Sequence, residues 1–397
     1  MINPTSYERY GEPLFGAAEI ATLGVGAALS YVLGRAVQNP DAVHDLEGQF
    51  MQAAREQASL FESSWQDWAS EELAKAYIRG IRHTDAELRQ LENRIVIPPP
   101  TRDISPGTPI LKRQPSTQQP LSQSEGQRFR NYAKHTKYYG VFKAAAHEGL
   151  EGTHSQIIRY SQDVYRRTAI AVGDASFREG NTLTRVDIAQ RQLDDYARQG
   201  IKGITYRNGR NFPLDAYAEM VGRTMSGHAA IQASLNRYEE YGYDLVRISS
   251  HFRACDMCTP WEGIILTQSG NDARYYTLEE AIASGLFHPN CAHDINPYFE
   301  GISPEQEVRV DPAERALIDE YGYEQAQEVA YNAQQQQRAI EREIRKAKRQ
   351  EATGLTQRDK EDSKAKVNQL QARQREHLEK YPYLPRKYVR EQVKTAH

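Results

Sequence analysis

The chain has 397 residues, is 39% hydrophobic and 26% charged, and carries a net charge of −3 with a mean hydropathy of −0.75. That length holds two or three domains with packed cores, but the hydropathy is too low for one compact globule and calls for long exposed helices and polar connectors. The net charge alone predicts no nucleic-acid partner. It is unevenly spread, however: from Arg338 onward there are 17 Lys/Arg against 9 Asp/Glu, a net of +8 that leaves −11 on the rest. An acidic body with a basic tail suits a protein working near DNA.

The first 13 residues contain Glu8, Arg9 and Glu12 and no basic leading region, so no secretory signal is expected. The stretch 15–37 is apolar and rich in Gly and Ala. Its uncharged run, 20–34, is 15 residues long, short of the roughly 20 that span a bilayer. A helix buried against protein is the expectation and membrane contact is not, with Gly16, Gly24, Gly26 and Gly34 allowing close approach. Over 47–91, Phe50, Ala54, Phe61, Trp65, Trp68, Leu73 and Tyr77 recur at helical intervals. Trp65 and Trp68 share a face and read as core.

Residues 98–126 hold seven prolines with Ser, Thr and Gln and almost no periodic apolar positions. This composition gives an extended arm, which can lie along a neighbouring subunit. Helical patterns resume at 131–149 and 153–177. Thr184-x-x-Asp187 is a capping box for a helix that runs to Gln199 and stops at Gly200. A hairpin follows, with Asn208-Gly209 at its turn. Pro213 opens another helix, whose apolar positions include Leu214, Tyr217, Val221, Met225, Ile231, Leu235 and Tyr238. Leu245, Arg247 and Ser249 then alternate with Val246 and Ile248, which signals a strand, and 263–268 and 294–299 are two more. After Ile302 the chain is polar and helical. Ile340 and Ile344 lie four apart, and neither half of this tail is apolar enough to bury alone, so docking onto another surface is expected. The sequence thus divides into an N-terminal helical region (1–97), a Pro-rich arm (98–127), a second helical region (128–200), an α+β module (201–302) and a polar, basic helical tail (303–397). The fold class is mainly α with a small, short-stranded α+β module resembling a zinc knuckle.

All three cysteines fall within 37 residues. Cys255-x-x-Cys258 lets two thiolates face one metal ion, and Cys291 adds a third. His288-x-x-Cys291 repeats the two-residue spacing, while Cys291-x-His293 is tighter, so either His288 or His293 completes a Cys₃His set. His251 is a weaker fourth ligand. With all four ligands supplied by protein, a structural zinc fits better than a catalytic one. Three cysteines do not make a disulfide framework, and a reducing compartment fits them best. Two alternatives stand beside this. Three reduced, buried thiols need no metal, and His251, Glu262, His288 and His293 converging on one pocket would offer acid–base chemistry.

The series Ile248-Ser249-Ser250-His251, Cys255-x-x-Cys258-x-Pro260-Trp261-Glu262-Gly263, Ser269-Gly270, Tyr276-x-Leu278 and Gly285-Leu286-Phe287-His288-Pro289-Asn290-Cys291-x-His293 resembles the phage minor capsid protein 2 family of tailed bacteriophages, related to the MuF-like head morphogenesis proteins. The likeness continues upstream through Gly209-Arg210, 214–221 and Arg223-Thr224, and downstream through 342–349 and 371–377. Ala292 stands where the family usually has Arg, so a role needing a cation there is not carried over. The resemblance implies a non-enzymatic virion component, present in a few copies inside the capsid near the portal vertex and in host cytoplasm during assembly. Its implied partners are the portal and major capsid proteins, with packaged DNA reached through the basic tail by salt-sensitive phosphate contacts. It implies a role in head assembly, DNA packaging or genome delivery. The other readings are a nuclease-like or toxin-like effector delivered with the genome, and a nucleic-acid-binding zinc protein.

Overall fold

A computed structural model describes residues 8–39, 45–92, 137–174, 184–205, 211–305, 308 and 310–393. The Pro-rich arm and the Asn208-Gly209 turn lie outside them. The fold is mainly helical with a small mixed sheet of four strands and a separate two-stranded ribbon. Two compact units are each assembled from three stretches of chain: 1–11, 67–149 and 220–310 form one, and 12–66, 150–219 and 311–397 form the other. Stretch 201–302 contributes to both.

The second of these units gathers most of α1 (Glu8–Gln38), the first half of α2 (Glu47–Glu92), α4 (Thr153–Asp174) and α5 (Arg185–Gln199). Helix α1 is long and apolar enough to cross a membrane. Within the unit, its Leu14, Val25, Leu29 and Leu33 are buried against protein. Gly26 marks the closest approach: a Cβ there would lie 2.9 Å from the Tyr196 ring and 3.0 Å from Thr353. Phe50 of α2 stacks on Tyr165 of α4 at 5.0 Å. The capping box of α5 forms as the sequence predicts: Asp187 N donates to Thr184 Oγ1, and Thr184 N donates to Asp187. Gly200 ends the helix at φ 63°, a conformation that favours glycine. Strands β1 (Lys202–Thr205) and β2 (Asn211–Pro213) then pair antiparallel.

The tail supplies α8 (Pro312–Tyr321), α9 (Tyr323–Thr353) and α10 (Gln357–Lys380). Helices α9 and α10 pack on each other, and α9 also packs on α5. A stripe of Ala326, Ala330, Ala333, Ile340, Ile344 and Ala347 is buried along α9. The alanines add little to a hydropathy sum, yet their small size brings helices close, so the tail docks inside its own unit. Two of its basic residues point inward. Arg349 Nη1 reaches Glu19 Oε1 at 3.0 Å and Asp215 Oδ2 at 3.1 Å, and its Nε donates to the Ala197 carbonyl at 2.9 Å. Arg345 lies 3.6 Å from Glu19 and donates to the Arg390 carbonyl at 2.7 Å. Part of the positive charge counted toward a DNA-binding surface is therefore spent on buried carboxylates.

The other unit contains the start of α1, the second half of α2, α3 (Lys137–Leu150), most of α6 (Leu214–Glu240), and β3 (Leu245–Ile248), β4 (Ile265–Thr267), β5 (Tyr276–Thr277), α7 (Leu278–Ala283) and β6 (Ile295–Pro297). Trp68 is buried and donates to the Tyr10 carbonyl at 2.6 Å. Helices α2 and α6 meet at Gly80, where a Cβ would sit 2.5 Å from the Ala230 carbonyl oxygen. A buried ion pair joins them as well, Arg237 Nε to Asp85 Oδ1 at 2.6 Å. The sheet order is β5-β4-β3-β6. Strand β3 pairs antiparallel with β4 (Arg247 opposite Ile265) and with β6 (Ile248 opposite Ile295), while β5 lies parallel to β4. The predicted alternation holds over Leu245–Ile248, with Val246 and Ile248 buried and Leu245 and Arg247 half-buried, and ends there: Ser249 lies beyond the strand and is buried as well. Pro297 sits on an edge strand, where a missing N–H does least harm. Leu88 of α2 and Leu235 and Tyr238 of α6 complete the sheet's core, and Cys258 belongs to that same cluster.

Candidate metal centre

The site is made by two tight turns beside the sheet. In the first, Cys258 N donates to the Cys255 carbonyl at 2.9 Å, and Thr259 N donates to the same oxygen at 2.9 Å. In the second, Cys291 N donates to the His288 carbonyl at 2.9 Å. The matching two-residue spacings thus become matching turns. A short 3₁₀ turn, Thr259–Trp261, follows the first, and Gly263 at φ 72° leads into β4.

The turns converge. Two groups of donor atoms lie within 4.8 Å of one another: Cys255, Cys258 and His288, and Cys258, Cys291 and His293. Cys258 belongs to both. Its Sγ is 3.5 Å from that of Cys291, and Cys255 Sγ is 2.9 Å from His288 Nε2. For sulfur ligands 2.3 Å from a tetrahedral metal, the S–S edge is ~3.8 Å, so the cysteine pair already stands near ligating separation. The five residues named from the sequence fall into these two triads, which share Cys258, and each triad could hold a metal ion.

The two histidines differ. His288 Nδ1 donates to the Pro289 carbonyl at 2.8 Å, which leaves the Nε2 lone pair facing Cys255. Such an outer hydrogen bond fixes the tautomer of a ligating imidazole. His293 is buried, with Nδ1 3.4 Å from Cys291 Sγ and Nε2 3.1 Å from Glu262 Oε1. Burial pushes its pKa down, but the Cys291 sulfur and the Glu262 carboxylate outweigh that and raise it to about 9. Cys291 is correspondingly lowered to about 4, chiefly by the hydrogen bond from Cys258 and, against the opposing effect of burial, by His293. Cys258 is raised by the same bond and by burial. These shifts run in opposite directions, favouring negative charge at Cys291 and positive charge at His293.

His251 and Glu262 sit on the far side of His293. Glu262 Oε1 accepts from His251 N, and the His251 ring packs edge-on to His293 at 4.8 Å. Burial and the neighbouring His293 charge lower His251 to about 4. Its Nε2 lies 3.0 Å from Ser249 Oγ, which also accepts from Asp294 N at 2.8 Å. Glu262 thus groups with His251 and His293, whereas His288 is held at Cys255. Of the four residues of the acid–base alternative, His251, Glu262 and His293 come together and His288 stands apart.

Sequence reasoning passed over the residues that hold the second turn. His228 on α6 meets the Phe287 carbonyl at 2.8 Å, and burial lowers its pKa. Arg223 Nη1 donates to Asn290 Oδ1 at 3.0 Å, and Asn290 N donates to Thr224 Oγ1 at 3.2 Å. Phe287 and Asn290 adopt φ 59° and 68°, a strained region for a bulky residue, and these contacts hold the loop there. Of these, Arg223, Thr224, Phe287 and Asn290 stood in the stretches that carry the family resemblance, with no role assigned to them, and His228 was not singled out.

The phage minor capsid protein 2 family matches residues 112–379, more than half of the chain. The chain belongs to that family. A curated relative, a structural protein of Lactococcus phage LL-H, is 23% identical over 247 residues, covering 59% of this chain and 62% of its own length. No solved structure matches.

Proposed function

We propose that this chain is a minor structural component of the phage head, lying inside the capsid near the portal vertex. There it contacts the portal and major capsid proteins in a few copies and acts in head assembly, DNA packaging or genome delivery. Family membership over a match that runs through both units supports this reading. Within it, the β3–β6 module is the rigid part, and a structural zinc ion fastens its two turns. Cys255, Cys258, Cys291 and His288 supply the ligands. His293, as an imidazolium paired with Glu262, stays outside the ligand set and balances thiolate charge.

The observation that supports the metal reading is that Cys258 shares one donor group with Cys255 and His288 and another with Cys291, and that the second nitrogen of His288 is already committed to a carbonyl. Structural zinc contributes roughly 10–16 kcal/mol of apparent binding free energy, ample for a four-stranded sheet whose strands are two to four residues long. Elemental analysis of purified protein should find one zinc per chain. His288→Cys should keep it, His288→Ala should lose it, and His293→Gln should retain it. Zinc lost from His293→Gln but kept in His288→Ala would reverse the ligand assignment, and no zinc in the unaltered chain would end the reading. Independently, cross-linking in intact virions should join this chain to the portal protein, and virions lacking the chain would overturn its place in the head.

A further inference from the structure

Four of the five large, exposed apolar side chains among the described residues of the sheet-bearing unit fall within 257–282: Met257 (51%), Ile264, Tyr276 (64%) and Ile282 (49%). The turn carrying the first cysteines runs beside α7 and is tied to it at both ends. At one end the rings of Trp261 and Tyr276 meet edge-on at 5.9 Å. At the other, Met257 packs over Gly285, where a Cβ would lie 3.6 Å from its sulfur. Ile282 stands on the helix between these ties. The result is an apolar strip with an aromatic pair, and two exposed acidic residues belong to the same segments: Asp256 precedes Met257, and Glu279 lies three residues before Ile282 on α7. It is separate from the donor atoms of the metal centre, which face the core.

We propose that this strip is the docking surface for the Pro-rich arm, residues 98–126, of the same chain. Three features select this occupant. The arm's composition favours a polyproline II conformation, and aromatic pairs on a surface recognise that helix because its ordering entropy is low. Its one apolar pair, Ile110-Leu111, lies between Pro109 and Lys112-Arg113, so apolar contact and basic charge come together and complement a strip whose segments carry those two acidic residues. The arm also departs from the right place. Helix α2 ends at Glu92, and its Leu88 and Leu91 are packed into the core under the same sheet. The chain is next described at Lys137, so both anchors belong to this unit, and a tether of that kind gives an effective concentration in the millimolar range.

The test compares the full chain with a variant in which 98–126 is replaced by Gly/Ser of equal length, using hydrogen exchange over 255–263 and 276–285. Replacement should speed exchange in both segments by about tenfold, the factor equivalent to ~1.4 kcal/mol. A synthetic 98–126 peptide added to the replaced chain should restore protection, and Lys112→Glu/Arg113→Glu in the peptide should weaken it. Tyr276→Ser in the full chain changes an exposed side chain and should mimic arm replacement without unfolding the sheet. Unchanged exchange on replacing the arm, or a peptide affinity weaker than ~1 mM, would overturn the proposal, because the tether could not then close the contact. Protection that rises with protein concentration would also overturn it, in favour of a second copy.

Discussion

Arg349→Met keeps a long apolar stem but removes the cation between Glu19 and Asp215. The Glu19 side chain is 0% exposed and that of Asp215 5%, and Arg349 makes close contacts to both and to the Ala197 carbonyl. Breaking a buried pair by removing one partner costs ~3–5 kcal/mol, since the charge left behind has neither water nor a counter-ion. The lower figure applies at pH 6. There Glu19, whose carboxyl burial raises to about 7, keeps its proton, and only Asp215 is left uncompensated, with Arg345 3.9 Å away. At pH 8 the unaltered chain holds Glu19 as a carboxylate against Arg349. The variant has lost the cation that lowers Glu19, so it must keep that carboxyl protonated against the solvent or bury a second unpaired charge, and the higher figure applies. Urea unfolding, with hydrogen exchange at α9 amides to locate the loss, reads the difference. Adding Glu19→Gln should recover more than ~1 kcal/mol, the non-additivity expected of groups in one network. A cost below 1 kcal/mol at pH 8, or the same cost at both pH values, would refute the reasoning.

The unaltered chain should show a related pH dependence. Because the folded pKa of Glu19 lies above its unfolded value, the stability it contributes is complete below about pH 4.3 and is lost as pH rises through about 7, by roughly 3 kcal/mol. Asp215 is lowered, against burial, by Arg349 and Arg345, so its share is lost as pH falls below the usual carboxylate range. Stability should peak between these limits, and Glu19→Gln should flatten the alkaline side of a urea-midpoint profile. Gly80→Val should cost ~1–3 kcal/mol in thermal or urea unfolding by forcing α2 and α6 apart, with no change in metal content. Ile248→Ala, at a fully buried position in the central strand, should cost ~2–5 kcal/mol. A chelator should accelerate exchange in β3, β4 and β6 while leaving α9 and α10 unchanged.

Local signals were legible wherever the determinant was local. The Thr184 box, the Gly200 stop and the alternation of β3 each depend on residues a few positions apart, and each is found. The cysteine turns were legible for the same reason. Strand β5 was missed because two residues give no period, although Thr277 and Glu280 form a capping box at the head of α7 that the sequence displayed. The tail was harder. Arg345 and Arg349 look like a solvated basic face, and nothing nearby reveals their partners Glu19 and Asp215, which lie 330 and 134 positions from Arg349. Likewise His228 gains meaning only when folding brings it to Phe287.

The membership of Cys258 in both donor groups makes the corner asymmetric toward damage. Taking away Cys255 or Cys291 removes one zinc ligand and leaves one donor triad in place; taking away Cys258 breaks both triads and also opens a hole in the packing beneath β3. An oxidant or alkylating agent reaching that one sulfur would disable the fastening and its foundation in a single event, and its complete burial is the shield against this.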